Sequence, residues 1–274
     1  MTYTGKYQHE LEFAVNVARH AAEILSSMQP SATVAVQKDI ADIATTADLA
    51  SEQYILDEIR KAFPTDGIHS EESHDTNTSS PRRWVVDPLD GTKEYAKGLA
   101  EYNVLIGLEE NNTPVMGVIQ RIGPDEVLTA TIDGPALYNG TQIHVSKTDD
   151  LTRSFIGFHI PSSRNGPDAV QRAMNCVHRI VLSAYRIRPG WDTAQQCSWV
   201  ARGILDAHII PACVNSWHDV MEGLLLVERA GGTVTDYAGN PITAGNMENG
   251  FVISNGRIHD RLLALIQSSK EDVL

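Results

Sequence analysis

Apolar residues recur along this chain with two periods, and the changes of period divide it into elements. Across residues 9–28, Leu11, Ala14, Val15, Ala18, Ala22 and Leu25 share one helical face, and across residues 49–63 Ile55, Leu56, Ile59 and Phe63 do the same. Two layered helices are expected to open the fold. Trp84, Val85 and Val86 form a short aromatic and β-branched run, the end of a strand buried on both faces. Residues 103–108, 114–120 and 127–131 read as consecutive strands with a turn over 109–112, an antiparallel meander. Beyond Gly190 the pattern predicts a helix over 191–202, a strand over 207–210, a helix over 219–230 and a strand over 233–236. Residues 251–254 and 258–266 close this second layered unit. Between Glu71 and Asp87, residues 73–82 crowd Asp, Thr, Asn, Ser and Pro with no apolar period, a surface loop or a lid.

Composition narrows the class. A chain of 274 residues with 42% hydrophobic content can bury a sizeable core in one large domain or two lobes. No apolar run approaches the roughly 18 residues of a membrane span, and residues 1–5 lack a basic stretch before an apolar one, so a cytoplasmic enzyme with no membrane partner is expected. Cys176, Cys197 and Cys213 are scattered and read as small buried hydrophobes rather than a disulfide or zinc framework. A net charge of −13 argues against a nucleic-acid polymer as partner, since binding a phosphate backbone needs clustered Lys and Arg. It leaves room for a small phosphate ester, because a bound cation can reverse the field in one cleft.

The chemistry concentrates in Asp87-Pro88-Leu89-Asp90-Gly91-Thr92. Asp87 would stand at the carboxyl end of the buried strand. Pro88 fixes φ and blocks ladder pairing, so the chain is expected to leave the sheet there and turn the Leu89 carbonyl and the Asp90 carboxylate back toward Asp87. Gly91 permits close approach of a ligand, and residues 92–95 can open a helix with free N–H groups. Hard oxygen ligands suit Mg²⁺. A plain turn is the competing reading, since Asp, Pro and Gly are all turn residues. A phosphatase motif D-x-D-G-T with a covalent aspartate is also considered, but Pro88 stands where its first Asp should be.

The run Asp87–Thr92 resembles the signature of the inositol monophosphatase superfamily of Mg²⁺-dependent phosphatases, and further motifs follow in order. Lys38-Asp39 and Asp42 through Asp48 resemble its K-x-D and D-x-V-T-x-x-D segment, and Glu71-Glu72-Ser73 its G-E-E-S loop with Ser70 replacing Gly. Gly134 through Gly140 resembles its G-A-x-x-N-G turn, and Trp217-His218-Asp219 with Glu228 through Gly232 its W-D and E-A-G-G segment. The resemblance implies an α/β fold, a layered α-β-α-β-α sandwich with an antiparallel or mixed first sheet and a smaller second sheet. It divides as residues 1–150, with most metal ligands, and 151–274, supplying Asp219 and substrate contacts.

It also implies roles. Glu71, Asp87 and the Leu89 carbonyl would hold one Mg²⁺, and Asp87, Asp90 and Asp219 a second, with two or three ions in all and Mn²⁺ as a substitute. Two such metals, about 4 Å apart, activate water for in-line attack on a phosphate. Thr92, bonded to a carboxylate such as Asp48, would orient that water, with Glu71 also in the catalytic set. Gly91 and Thr92 would hold phosphate oxygens and Asp219 would contact substrate. Asp48 also reads as an N-cap, preceding a helical pattern.

Substrate calls for finer marks. Lys93-Glu94-Tyr95, Gly98-Leu99 and residues 103–108 resemble the 3′(2′),5′-bisphosphate nucleotidase branch, whereas the inositol branch usually has T-N-F after Gly-Thr. Ile210 stands where that branch has a glutamate for inositol hydroxyls, and isoleucine accepts no hydrogen bond. His218 separates Trp217 from Asp219, and Met221-Glu222 replace small residues and add a carboxylate near the pocket. A nucleotide 3′-phosphate is the first expectation, an inositol, sugar or histidinol phosphate the alternative, and an idle regulatory or scaffolding member the alternative from another class. The resemblance further implies a small phosphorylated metabolite as partner and a homodimer.

Overall fold

The computed structural model describes residues 4–39, 42–73, 79–99, 102–123, 125–190, 192–212 and 216–268. Residues 74–78 of the expected loop, Trp191, Cys213 and the side chains of Lys38, Asp39 and Asp42 lie outside the described residues. The chain divides into two compact units, Met1–Gln142 with Met221–Leu225, and Ile143–Val220 with Leu226–Leu274. The break falls at Gln142 rather than residue 150, and a short later segment returns to the first unit.

The first unit begins with α1 (Gln8–Met28), which sinks Leu11, Ala14, Val17, Ala18, Ala21 and Leu25 into the core. Strands β1 (Val34–Asp39) and β2 (Asp42–Thr45) pair antiparallel and lead into α2 (Thr46–Ala62). There follow β3 (Gly67–Ser70), β4 (Arg82–Asp90), α3 (Thr92–Ala96), β5 (Asn103–Glu110), β6 (Thr113–Arg121), β7 (Glu126–Thr131), β8 (Leu137–Tyr138) and β9 (Thr141–Gln142). Strands β3 to β9 form one seven-stranded sheet in chain order. Only β3 and β4 run parallel in it; the other pairs are antiparallel. The meander β5–β6–β7 is the one the alternation predicts. Its turn at Asn111-Asn112 and the one at Asn139-Gly140 have φ between 46° and 75° at both positions, the left-handed geometry whose twist matches a hairpin. Trp84, Val86, Val104, Ile106, Leu108, Met116 and Val118 are fully buried against the helices, each contributing about 1.5–3 kcal/mol of burial.

At Pro88 the chain does not leave the sheet. Strand β4 pairs Asp87 with Leu105, makes a register shift, and pairs again at Asp90 with Asn103. Proline lacks the N–H a ladder needs, and a one-residue bulge absorbs that loss without ending the strand. Gly107 and Gly117 face each other across β5 and β6. The absent side chains make room for Met221 and Glu222: a Cβ on Gly107 would stand 1.9 Å from Met221 Cε, and one on Gly117 3.0 Å from Glu222 Cα. The large residues at 221 and 222 therefore fill a trench in the sheet, with Glu222 1% exposed.

The second unit contains β10 (Phe155–His159), α4 (Pro167–Ser183), β11 (Arg186–Gly190), α5 (Thr193–Ala201), β12 (Ala207–Ile210), α6 (Met221–Arg229, its first turns belonging to the first unit), β13 (Thr233–Asp236), β14 (Phe251–Ser254) and α7 (His259–Gln267). Its five-stranded sheet runs β11-β10-β12-β14-β13, parallel at β10–β11 and β10–β12 and antiparallel beyond. Ile156, Phe158, Ile180, Ile209, Val252 and Leu262 form its core. Gly157 and Gly190 leave space for the Gln196 carboxamide, which lies 2.5 Å and 2.2 Å from where their Cβ atoms would be. The α/β class, with one larger and one smaller sheet, is the expected one. Helix α4 has no counterpart among the expected elements. Cys176 and Cys197 are buried thiols, as expected.

Candidate active site

Register brings the first two carboxylates together. Ser70 pairs with Val86 on the parallel strands β3 and β4, so the next residues, Glu71 just past the end of β3 and Asp87 within β4 ahead of its bulge, stand side by side, one strand spacing of about 4.8 Å apart. The Glu71 N–H donates to the Val86 carbonyl at 3.2 Å and holds that end closed. Asp87 is 2% exposed. Its Oδ1 accepts the Leu89 N–H at 3.0 Å, so the bulge curls around the carboxylate. The Leu89 side chain is fully buried and anchors the bulge. Asn103 Nδ2 donates to Asp90 Oδ2 at 2.9 Å, fixing the third carboxylate from the neighbouring strand.

Gly91 then turns the chain at φ 90°, a conformation costly for any residue with a Cβ, and starts α3. Thr92 Oγ1 lies between two acceptors, Asp48 Oδ1 at 2.8 Å and the Leu89 carbonyl at 3.0 Å. Asp48 is not the N-cap of α2. That place belongs to Thr45, and Asp48 closes a capping box by accepting the Thr45 N–H at 2.9 Å and the Thr45 hydroxyl on Oδ2. One carboxylate thus starts the helix with one oxygen and engages Thr92 with the other. Burial raises the Asp48 pKa above its ordinary value, against the hydrogen bonds from Thr45 and Thr92.

Asp219 lies in the second unit, in the turn Trp217–Asp219 just ahead of α6. Its Oδ2 accepts the Ser216 N–H at 3.1 Å, and its Oδ1 stands 3.2 Å from Nε2 of the largely buried His218. The inserted histidine thus orients its neighbour. Ile210 is fully buried and pairs with Phe251. Tyr95, part of the likeness to the nucleotidase branch, is 1% exposed and donates its hydroxyl to the Leu25 carbonyl at 2.7 Å. Val104, Leu105, Ile106 and Leu108 are core residues as well. Packing accounts for these positions without a substrate.

Glu71, Asp87, Asp90 and the Leu89 carbonyl offer only hard oxygen. Among the described residues no three His, Cys, Asp or Glu side chains converge closely enough to cage an ion by themselves. That donor set fits Mg²⁺, which keeps several waters and takes one or two carboxylates together with substrate phosphate oxygens. A groove of about 600 Å³ between α1 and β7–β8, lined by Leu11, Val15, Arg19, Val127, Thr129 and Leu137 among others, contains none of these groups.

A profile of the inositol monophosphatase family matches residues 6–271. The chain belongs to that family. Among similar proteins, a fructose-1,6-bisphosphatase/inositol-1-monophosphatase of Thermotoga maritima is 30% identical over 238 residues, covering 85% of each chain. Nus factor SuhB of Xylella fastidiosa is 35% identical over 206 residues, 74% of this chain and 72% of that protein. A solved inositol monophosphatase from Anabaena superposes with a TM-score of 0.83 at 30% identity over 96% of both chains. As an inositol monophosphatase family member this protein is a phosphoric monoester hydrolase, and divalent-metal dependence comes with the family. No helix among the described residues is long and apolar enough to cross a membrane.

Proposed function

We propose that the protein hydrolyses a small sugar or cyclitol phosphate monoester, using Glu71, Asp87, the Leu89 carbonyl and Asp90 to hold Mg²⁺, with Mn²⁺ as a substitute. The observation that carries this reading is the presence of two pairs on one short run of chain: Asp87 beside Glu71 at the end of the β3–β4 pairing, and, just past the bulge, Thr92 at the start of α3 bonded to Asp48 of α2. The cations, when bound, neutralise phosphoryl oxygens and make water more acidic. Thr92 Oγ1, with its own proton directed at Asp48 Oδ1, would be free to accept a hydrogen bond from an attacking water, and Asp48 would be the group that takes up the proton Thr92 relays. The raised pKa of Asp48 suits an acceptor. Gly91 leaves the backbone beside the reacting phosphate uncovered. The role expected of Asp219 rests on the motif resemblance alone.

Relatives named for inositol and fructose phosphates support the sugar or cyclitol substrate, as does the burial of Tyr95, which removes one mark of the nucleotide branch. The nucleotide 3′-phosphate reading retains one specific observation: Lys93 is exposed directly after Thr92, a cation available to a second phosphate. A cytoplasmic homodimer is part of the same proposal, carried by the family resemblance and measurable by sedimentation.

Phosphate release from inositol 1-phosphate, fructose 1,6-bisphosphate, histidinol phosphate and 3′-phosphoadenosine 5′-phosphate, each with Mg²⁺ and with chelator, tests these readings. Mg²⁺-dependent release, fastest on the first two, is expected. Preference for the fourth would replace the sugar reading with the nucleotidase one, and no turnover of any ester would leave the scaffolding alternative.

A further inference from the structure

Helix α2 meets the candidate site with three polar residues where its core-facing stripe should be apolar. Asp48, Ser51 and Glu52 stand at i, i+3 and i+4, on the face that continues as Ile55, Leu56 and Ile59, and all three are buried. Burying polar groups costs free energy unless each is bonded, so such a stripe needs a partner at every position. Each partner lies in a different segment of the site. Asp48 takes Thr92. Ser51 Oγ donates to the Pro88 carbonyl at 2.9 Å. Glu52 Oε1 accepts from Ser70 Oγ at 2.5 Å, with Ser70 itself 4% exposed.

The second contact has a particular geometry. Pro88 C=O and Leu89 N–H belong to one peptide unit, and both ends are taken: the carbonyl by Ser51, the N–H by Asp87 Oδ1. A rigid planar unit held at both ends fixes the rotation of the bulge, and with it the Asp87 carboxylate and the Leu89 carbonyl. The third contact holds Ser70, the residue before Glu71, at the site where the resembling motif has glycine.

We propose that Ser51 and Glu52 are positioning residues, which set the aim of Asp87, the Leu89 carbonyl and Glu71 toward a divalent cation through Pro88 and Ser70. This rests on the metal-site reading above. Groups one bond behind the metal ligands commonly govern affinity by about 10–100-fold. Glu52 acts here as an acceptor, so an amide should replace it.

Calorimetric titration of the full chain with Mg²⁺ and Mn²⁺, together with amide hydrogen exchange on the metal-free protein, tests the proposal. Ser51→Ala, Ser70→Ala and Glu52→Leu should each weaken cation binding by about tenfold or more, and Glu52→Gln by no more than about twofold. Exchange at the Leu89 amide should quicken in Ser51→Ala, and at the Glu71 amide in Ser70→Ala, while Ser51→Ala keeps the circular dichroism spectrum of the parent, its thermal midpoint lowered by the one lost buried hydrogen bond. Unchanged affinity and exchange in folded Ser51→Ala and Ser70→Ala would overturn the proposal, as would equal losses in Glu52→Gln and Glu52→Leu. A parent protein that binds no divalent cation would overturn the metal-site reading, and the aim toward a cation with it. Exchange at Leu89 and Glu71 would then report whether the clamp itself exists.

Discussion

Thr92 Oγ1 and Asp48 Oδ1, 44 residues apart in sequence, are joined by a 2.8 Å hydrogen bond. A valine at 92 keeps the shape of threonine and removes the hydroxyl, whereas serine keeps it. Thr92→Val should lower kcat by about 10²–10⁴-fold and Thr92→Ser by far less, with circular dichroism spectra like the parent's. Comparable kcat values for Thr92→Val and the parent would take the hydroxyl out of the reaction.

Asp90→Asn changes charge with almost no change of shape. Because Asn103 already fixes one oxygen of Asp90 from β5, the variant should fold normally. Activity at saturating substrate should nearly vanish and Mg²⁺ affinity should drop. Near-parental turnover would place Asp90 outside the metal set.

Tyr95 separates packing from recognition. Its hydroxyl is spent on the Leu25 carbonyl inside the core. Tyr95→Phe should cost about 1 kcal/mol in urea denaturation and leave the ranking of phosphate esters unchanged. A reordered ranking would return Tyr95 to the substrate.

Gly107→Ala sets a methyl against Met221 Cε in a filled trench. A destabilisation of about 1–3 kcal/mol is expected, as for overpacking generally. Met221→Ala in the same chain should recover part of it, since the two changes share one space. Additive losses in the double variant would mean that Met221 does not occupy the trench.

His208, completely buried in the second unit, is held neutral down to about pH 3 by desolvation and, less, by His159, with the Gly157 backbone opposing. Its folded pKa is depressed, so its contribution is complete above the unfolded value near 6.5 and is lost as pH falls below that value, when only the unfolded chain takes the proton. The expected slope is about 1.4 kcal/mol per pH unit between about pH 6 and pH 4. His208→Leu should flatten the stability profile in that window; an unchanged slope would remove His208 as its source.

What could be read from sequence was what repeats or what clusters. Strands β5 to β7 announce themselves by alternation, and the acidic run 87–92 by its donor chemistry. Strand β3 is only Gly67–Ser70, too short for a period, yet it sets the neighbour of Asp87. Strand β11 bears Arg186, Arg188 and Pro189, which speak against a strand and are tolerated because it is a sheet edge. Helix α4, absent from the expected elements, carries Val170, Ala173, Val177 and Ile180 at helical spacing, and few of its side chains are buried. The bonds from Ser51 and Glu52 were not legible, because a polar residue on an apolar face declares a cost and not a partner. Gly107 and Gly117 hint at a close approach, but the approaching segment lies over a hundred residues further along.

That trench decides how the gene can be cut. The first unit is not one stretch of chain: it ends at Gln142 and resumes only for Met221–Leu225. A fragment stopping at residue 142 would present two bare glycines and an unfilled furrow to solvent, and recombination with a relative that crosses over between residues 142 and 221 would exchange the furrow without its filler.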